Sequence, residues 1–315
     1  MISVFINILT VFAMVLIGYI ACKKDIIPFA ANDYFVKLLL SICIPCMIIS
    51  SVATKTLSDD TFTQIMETII GTSIYFVVGA IISYFIVKLL KYDPASDQGV
   101  LMVILTSVNS GFMGFPITRA LFGDDTFFLM VMNHSVLTVY LYSILIMQLN
   151  VGSHRGERRS LKEILKPFCN ACMIAAVLGF VILFAKIKLP EFIVNLTSTL
   201  GDATTPISML VVGLQLSQSD FKKVLKNRKL IVVSLCNVVL MPLLTFLAVH
   251  WLPIANISKV AIIFGVAFPT AVITVALASN QKKNAGLMAE GVALTTLFSM
   301  VTLPLTAMAL ITLYC

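Results

Sequence analysis

Two apolar stretches of this 315-residue chain are each interrupted near the middle by residues that a continuous helix would avoid. Val100 to Leu121 is broken by Asn109-Ser110-Gly111-Phe112-Met113-Gly114-Phe115-Pro116, and Val260 to Ala278 by Phe268-Pro269-Thr270. In hydrocarbon a broken helix frees N–H and C=O groups that are costly unless something polar or well packed satisfies them. Pro116 and Pro269 suit the first turn of a half-helix, where a missing N–H is no loss and the fixed φ is helical. Each half-helix then turns the positive end of its dipole, with unpaired N–H groups, toward the bilayer midplane. Two such ends converging attract an anion, a carboxylate in particular. Gly111 and Gly114 let the backbone bend and a crossing partner approach, and Asn109 can cap the first half-helix while offering donors to a substrate oxygen. Ser110 and Thr270 complete the candidate substrate site at the two breaks. The bland alternative is two ordinary kinks whose backbone groups neighbouring helices satisfy.

Other polar residues lie within apolar segments. Asn133 and His134 could face the same crossing, His134 as proton relay, substrate donor or simply a hydrogen-bonded packing residue. Asp202 precedes an apolar run, Pro206 to Leu216, too short to cross about 30 Å of hydrocarbon at 1.5 Å per residue. The helix must therefore begin earlier and carry Asp202 into the membrane. With Thr204 and Thr205 it could bind Na⁺ or take up a proton, or it could cap a broken helix near the outer face. Glu290, about six residues into the last apolar segment, is either a snorkelling or paired interfacial acid or a second proton-coupling group. Asp202, Thr205 and Glu290 form the candidate coupling set, and no cofactor beyond such an ion is expected.

The elements that must hold these residues follow from composition. With 59% hydrophobic and 12% charged residues and a mean hydropathy of +1.01, the chain is far from a soluble domain, where charged residues are about a quarter of the total. Ten apolar segments of spanning length are predicted, at 3–21, 34–53, 64–90, 99–121, 126–149, 168–185, 190–217, 229–251, 257–280 and 285–313. Residues 1–21 read as a retained helix, because no basic residue precedes them and no small-residue cleavage site follows. Loops after odd-numbered segments hold 17 of the 22 Lys and Arg. Positively charged short loops stay cytoplasmic, which places both termini outside a cytoplasmic membrane. That topology accounts for the net charge of +7, and the charges form no single stripe for nucleic acid. Cys43-Ile-Pro-Cys46 and Cys169-Asn-Ala-Cys172 have metal-ligand spacing, but they lie about 13–18 Å apart in depth. Small apolar packing is the reading, with no metal.

The chain reads as two repeats of five segments, 1–149 and 168–315, joined by a basic loop at 150–167. Pro45 is answered by Pro206, Leu57-Ser58-Asp59-Asp60-Thr61-Phe62 by Leu216-Ser217-Gln218-Ser219-Asp220-Phe221, and Pro116 by Pro269. Five is odd, so the second repeat enters the membrane from the opposite side. Inverted repeats can exchange conformations, which yields inward-open and outward-open states of similar energy.

The stretch Asn109 to Gly123, with Asn109, Gly114, Pro116 and Gly123 at their spacing, resembles the fourth span of the auxin efflux carrier family, which includes plant PIN carriers and bacterial malate and malonate permeases. Gly201-Asp202-Ala203 through Gly213-Leu214 resembles that family's seventh span, and Phe268-Pro269 with Leu303-Pro304 its ninth and tenth. The resemblance covers essentially the whole chain. It implies an all-α membrane protein of ten transmembrane helices, with spans 1, 2, 6 and 7 as scaffold and homodimer surface. The remaining spans would form a transport domain in which broken helices 4 and 9 cross. It implies carboxylate anions as substrates, the chemistry reached separately from the helix dipoles. The short basic loop points to a microbial permease, and Thr270, where plant carriers have an amide, points away from auxin.

The expected function is secondary active transport of a small carboxylate such as malate or malonate, not enzymatic catalysis. From the residues alone a non-transporting sensor of a small molecule is the alternative, although short loops leave it no obvious output. An intramembrane aspartyl protease is disfavoured: Thr199 stands before Leu200-Gly201-Asp202 where a glycine is required, and Asp93 precedes Pro94 in a polar loop.

Overall fold

The computed structural model describes residues 2–53, 55, 60–152, 171–218 and 224–314. The basic loop from residue 153 onward, Cys169 and Cys315, and parts of the paired motifs at 57–59 and 219–221 lie outside the described residues. Every regular element among those described is helical. Among the described residues, five helical stretches are long and apolar enough to cross a membrane: Phe29–Ala53, Thr61–Leu89, Ala95–Leu149, Arg228–His250 and Ala285–Tyr314. Ten segments were expected, and three of the five differences have local causes. The apolar run at 257–280 is split into α13 (Asn256–Val266) and α14 (Ile273–Asn280), each too short alone. The run at 190–217 is divided at Ala203 into α9 (Glu191–Asp202) and α10 (Thr204–Ser217). The runs at 99–121 and 126–149 fall within one helical stretch of 55 residues, more than twice the roughly 20 that a bilayer needs. That stretch comprises α5 (Gln98–Thr106), α6 (Phe115–Tyr142) and α7 (Ile144–Leu149). Within α6, Gly123 has φ 79° and ψ −177°, a region essentially reserved for glycine, and this breaks the helix there.

The helices pack as two groups. In the first, α1 (Ile2–Lys23) runs along α10, while α3 (Ile44–Ala53) lies between α8 (Ala171–Phe184) and α9. α2 (Asn32–Leu38) leads into α3 and touches α10. In the second group, α4 (Thr61–Leu89), α5 to α7, α11 (Arg228–Leu235), α12 (Met241–His250), α13, α14 and α15 (Ala285–Tyr314) pack on one another. The groups meet chiefly through α6 and the turn before it, against α1, α3 and α10. Backbone meets backbone in the α1–α10 pair: a Cβ at Gly213 would stand 2.1 Å from the Val15 carbonyl, and one at Gly18 2.4 Å from the Leu210 carbonyl. Small residues at such crossings let helices associate in lipid, where the hydrophobic effect between them is absent. Away from these contacts Leu16 and Ile17 of α1, Ile70 and Ile74 of α4, and Leu243 and Leu247 of α12 are exposed. An apolar exterior of this kind is what hydrocarbon solvates.

Three wide turns share one cause. The π turns Leu39–Cys43, Ser110–Gly114 and Cys236–Leu240 are each followed two residues later by a proline, at Pro45, Pro116 and Pro242. A proline cannot bond the carbonyl four residues back and its ring clashes there. That carbonyl, on Ser41, Phe112 or Val238, lies inside the widened turn in every case. The chain thus absorbs proline by a π bulge rather than by a sharp kink. Pro206, the expected counterpart of Pro45, is instead the third residue of α10, and Pro269 lies outside any helix.

Candidate functional site

The two breaks touch. α5 ends where Ser107 turns extended, with φ −78° and ψ 148°, and the Asn109 N–H donates to the Pro269 carbonyl at 2.7 Å. The last four carbonyls of α5 and its cap lose their helical donors. Each is met by a side chain from elsewhere. Thr270 Oγ1 donates to Ile104 O at 2.7 Å, Asn237 Nδ2 to Leu105 O at 2.9 Å and to Ser107 O at 3.3 Å, and Tyr75 OH to Thr106 O at 3.5 Å. Behind the break, Thr106, Tyr140, Gln148 and Ser83 form a buried chain of side-chain hydrogen bonds. The carbonyl side of the break is thereby closed.

The N–H side is open. Asn109 caps the half-helix: its Oδ1 accepts from Phe112 N–H at 3.4 Å and its carbonyl accepts from Met113 and Gly114 N–H. Because Oδ1 is held this way, Nδ2 is the free end of the amide. It is buried and has no hydrogen-bond partner among the described residues. The N–H groups of Ser110 and Gly111 find no acceptor among the described residues, nor do those of Ala271, Val272 and Ile273 at the start of the second half-helix. The proline geometry differs in part from the expectation. Pro116 is in the first turn of α6, as expected, but the π turn Ser110–Gly114 runs into α6, so the free N–H groups lie earlier, at Ser110 and Gly111. Pro269 belongs to the connection between half-helices, and its role is to present a carbonyl to Asn109.

Two cavities lie in the seam between the packing groups, and Asn109 lines both. The first, of about 300 Å³, has Leu40, Ile44 and Cys172 on one wall and Gly111, Phe112, His134 and Thr138 on the other, with Val272 and Ile273 at the second half-helix. The second, of about 420 Å³, is lined by Asn32 and Gln215 from one group and Val272, Glu290 and Thr296 from the other. Its residues Phe29, Gln218 and Gly286 adjoin the end of the molecule that bears Lys23, Lys24, Lys282 and Lys283.

The remaining expected residues divide sharply. His134 faces the first cavity, with Nδ1 held 2.8 Å from Ser110 Oγ and its ring edge-on to Phe115, so Nε2 is the nitrogen available to a ligand. Gly111 leaves the ring room there, since a Cβ would stand 3.1 Å from the His134 ring. Gly114 lies against the Phe268 ring, which brings the two breaks together. Asn133, one residue from His134, points elsewhere: its Nδ2 donates to Thr72 Oγ1 at 3.0 Å and its amide fills the space beside Gly265. It ties α4, α6 and α13 together and lines neither cavity. Thr270 is fully buried and its groups are spent on Ile104 and Thr295. Asp202 is not carried into an apolar interior. Its side chain is 63% exposed and accepts from Arg119 Nη1 at 2.8 Å. Neither it nor Thr205 lines a cavity, whereas Glu290 is half-buried in the wall of the second.

Sequence reasoning missed Asn237, Thr138, Asn32 and Gln215. For Asn237 a signal existed, since it is the only amide in the apolar segment 229–251. Replacing it with leucine leaves the Leu105 and Ser107 carbonyls without a donor, at a cost on the order of 1–3 kcal/mol each. The expected result for Asn237→Leu is a clearly lowered thermal midpoint in detergent, read by size-exclusion after heating. An unchanged midpoint would mean that the break is satisfied by other means.

Residues 3–307 match the family described as Membrane transport protein. The chain is similar to an uncharacterized transporter of Methanocaldococcus jannaschii, 23% identical over 306 residues that cover 95% of this chain and 96% of that protein. It is also similar to an uncharacterized transporter of Methanothermobacter thermautotrophicus, 22% identical over 308 residues covering 96% and 97%.

Proposed function

The chain belongs to the membrane transport protein family, the family of auxin efflux carriers, and is a multi-pass membrane transporter; from that premise we propose that it is a secondary active carrier of small organic carboxylate anions such as malate or malonate. The observation that carries this reading is Asn109. Its Nδ2 donor is buried without a partner where the two helix breaks meet, and the residue lines both cavities. Charge-assisted hydrogen bonds to a carboxylate are stronger than neutral ones. A carboxylate there accepts from Asn109 Nδ2 and from the free N–H groups of the two half-helices, whose dipoles favour negative charge. His134 Nε2 offers a further contact, while Ile44, Phe112 and Leu137 cover the carbon body of the acid.

The site lies in the seam between two packing groups, and this supports alternating access. When one group slides against the other, Asn109 exchanges the side from which it is reached. The order of prolines supports a ten-helix inverted repeat in which the two broken segments are its fourth and ninth helices. The loop charges support a cytoplasmic-membrane location with both termini outside. Glu290, in the wall of the larger cavity, is the acid that a coupling proton or Na⁺ would meet, and the apolar exterior of the α1–α3 and α8–α10 group supports a homodimer.

The test is uptake of radiolabelled malate, malonate and indole-3-acetate into proteoliposomes under imposed Na⁺, H⁺ and potential gradients. Saturable uptake of a carboxylate is the expected result, and the gradient that accelerates it identifies the driving force. Absence of uptake for all three acids under every gradient overturns the carboxylate reading.

A further inference from the structure

At the end of the seam away from Lys23 and Lys282, the two packing groups are joined by charge. Arg119, on α6, gives its Nε to Asp124 at 2.7 Å and its Nη1 to Asp202 at 2.8 Å. Asp124 is on the same helix, just past Gly123, whereas Asp202 is the last residue of α9 in the other group. Beside this pair, Lys55, which follows α3, holds Asp125 of α6 at 2.6 Å and lies over the Phe128 ring. Two ionic contacts thus cross the seam here. None of these five charged residues lines the cavities at Asn109, and the larger cavity adjoins the lysine-bearing end.

We propose that Arg119 is a carboxylate-binding site at this end of the translocation path, occupied by the Asp202 carboxylate while the end is shut and by a substrate carboxylate once the groups part. This inference rests on the carboxylate-carrier reading above. The guanidinium is a planar fork with separate edges for two carboxylates. Asp124 stays on the Nε edge because it travels with α6. Asp202 belongs to the group that moves relative to α6, so its departure bares the Nη edge to the medium. Arg119 is also only three residues beyond Pro116 in the half-helix that Asn109 caps, so an anion taken up there is already on the element that leads to the central site. The side chains of Asp202 and Asp125 are 63% and 69% exposed, those of their partners Arg119 and Lys55 23% and 8%. With the acid of each pair open at the surface, the contacts are weak enough to break, as a latch opened in each transport cycle must. Asp202 then acts as a tethered competitor of the substrate: it closes the mouth when no anion is present and yields when one is.

The test reads the occupancy of Arg119 directly and needs no transport. Purified protein in detergent is treated with p-hydroxyphenylglyoxal, an arginine reagent, and modification at Arg119 is followed by peptide mass mapping. In Asp202→Asn, a substitution of nearly equal shape, the rate at Arg119 should rise roughly two- to fivefold, the factor an exposed ion pair of this class supplies. Adding malonate should return it toward the wild-type rate, while chloride at equal ionic strength should not. An unchanged rate in Asp202→Asn, or equal effects of malonate and chloride, overturns the proposal. If malonate protects Arg119 but no carboxylate is taken up by wild-type proteoliposomes, the anion site stands and the transport reading falls.

Discussion

Asn109→Asp is expected to abolish carboxylate uptake while leaving the protein folded. The substitution preserves the oxygen that accepts from Phe112 N–H, and a carboxylate at a helix N-cap is at least as favourable as an amide. What it removes is the unpartnered Nδ2 donor. In its place it puts a negative charge where the substrate carboxylate should sit. A hydrogen bond to a charged group contributes about 1.5–3 kcal/mol, and like-charge repulsion adds to its loss. A fall in uptake efficiency on the order of 100-fold or more follows, since each 1.4 kcal/mol or so is tenfold. Asn109→Ala supplies the contrast, because it removes both cap and donor and should lower stability by about 1 kcal/mol as well as activity. Malonate uptake kinetics measured beside thermal unfolding separate the two effects. Full uptake by Asn109→Asp would remove Asn109 from the site.

Gly213→Val is expected to yield no folded carrier. The Cβ would lie 2.1 Å from the Val15 carbonyl oxygen and 2.6 Å from the Tyr19 nitrogen. Both are backbone atoms of α1, so no rotamer change can make room, and α1 must separate from α10. That contact is the longest in its packing group, and TM helices in lipid are held by just such close packing. The readout is the fraction of monodisperse protein recovered after extraction, which should fall to near background; normal recovery would show that the α1–α10 packing is misplaced. Gly123→Ala makes a useful comparison. Its Cβ meets no atom within 4 Å, but the φ of 79° is strained for alanine, costing on the order of 1–3 kcal/mol. A destabilised but recoverable protein is the expected outcome there.

The amino-acid sequence by itself determined the class of solvent and the places where helices fail. An apolar fraction of 59% cannot be buried inside a domain of this size, so the chain must meet lipid, and in lipid only internally bonded helices or closed barrels are viable. Proline and glycine act on their own backbone, so the interruptions at 109–116 and 268–270 were legible without knowledge of what surrounds them. Asn109 was legible for the same reason: a cap serves N–H groups three residues away.

What the tertiary structure alone decided is which side chains serve those interruptions. The donor for the Leu105 carbonyl is Asn237, 132 residues distant, and that for Ile104 is Thr270, 166 residues distant. No local pattern encodes such pairings. Direction about a helix axis was equally hidden: adjacent residues differ by about 100°, so His134 reaches the cavity while Asn133 beside it locks α4 to α13. Asp202 shows the same limit for charge. Its hydropathic context placed it in the membrane, but the partner that sets its environment, Arg119, comes from 83 residues away. Backbone breaks are properties of the residues that make them, whereas satisfaction of the groups they free depends on long-range packing, and only the folded chain supplies it.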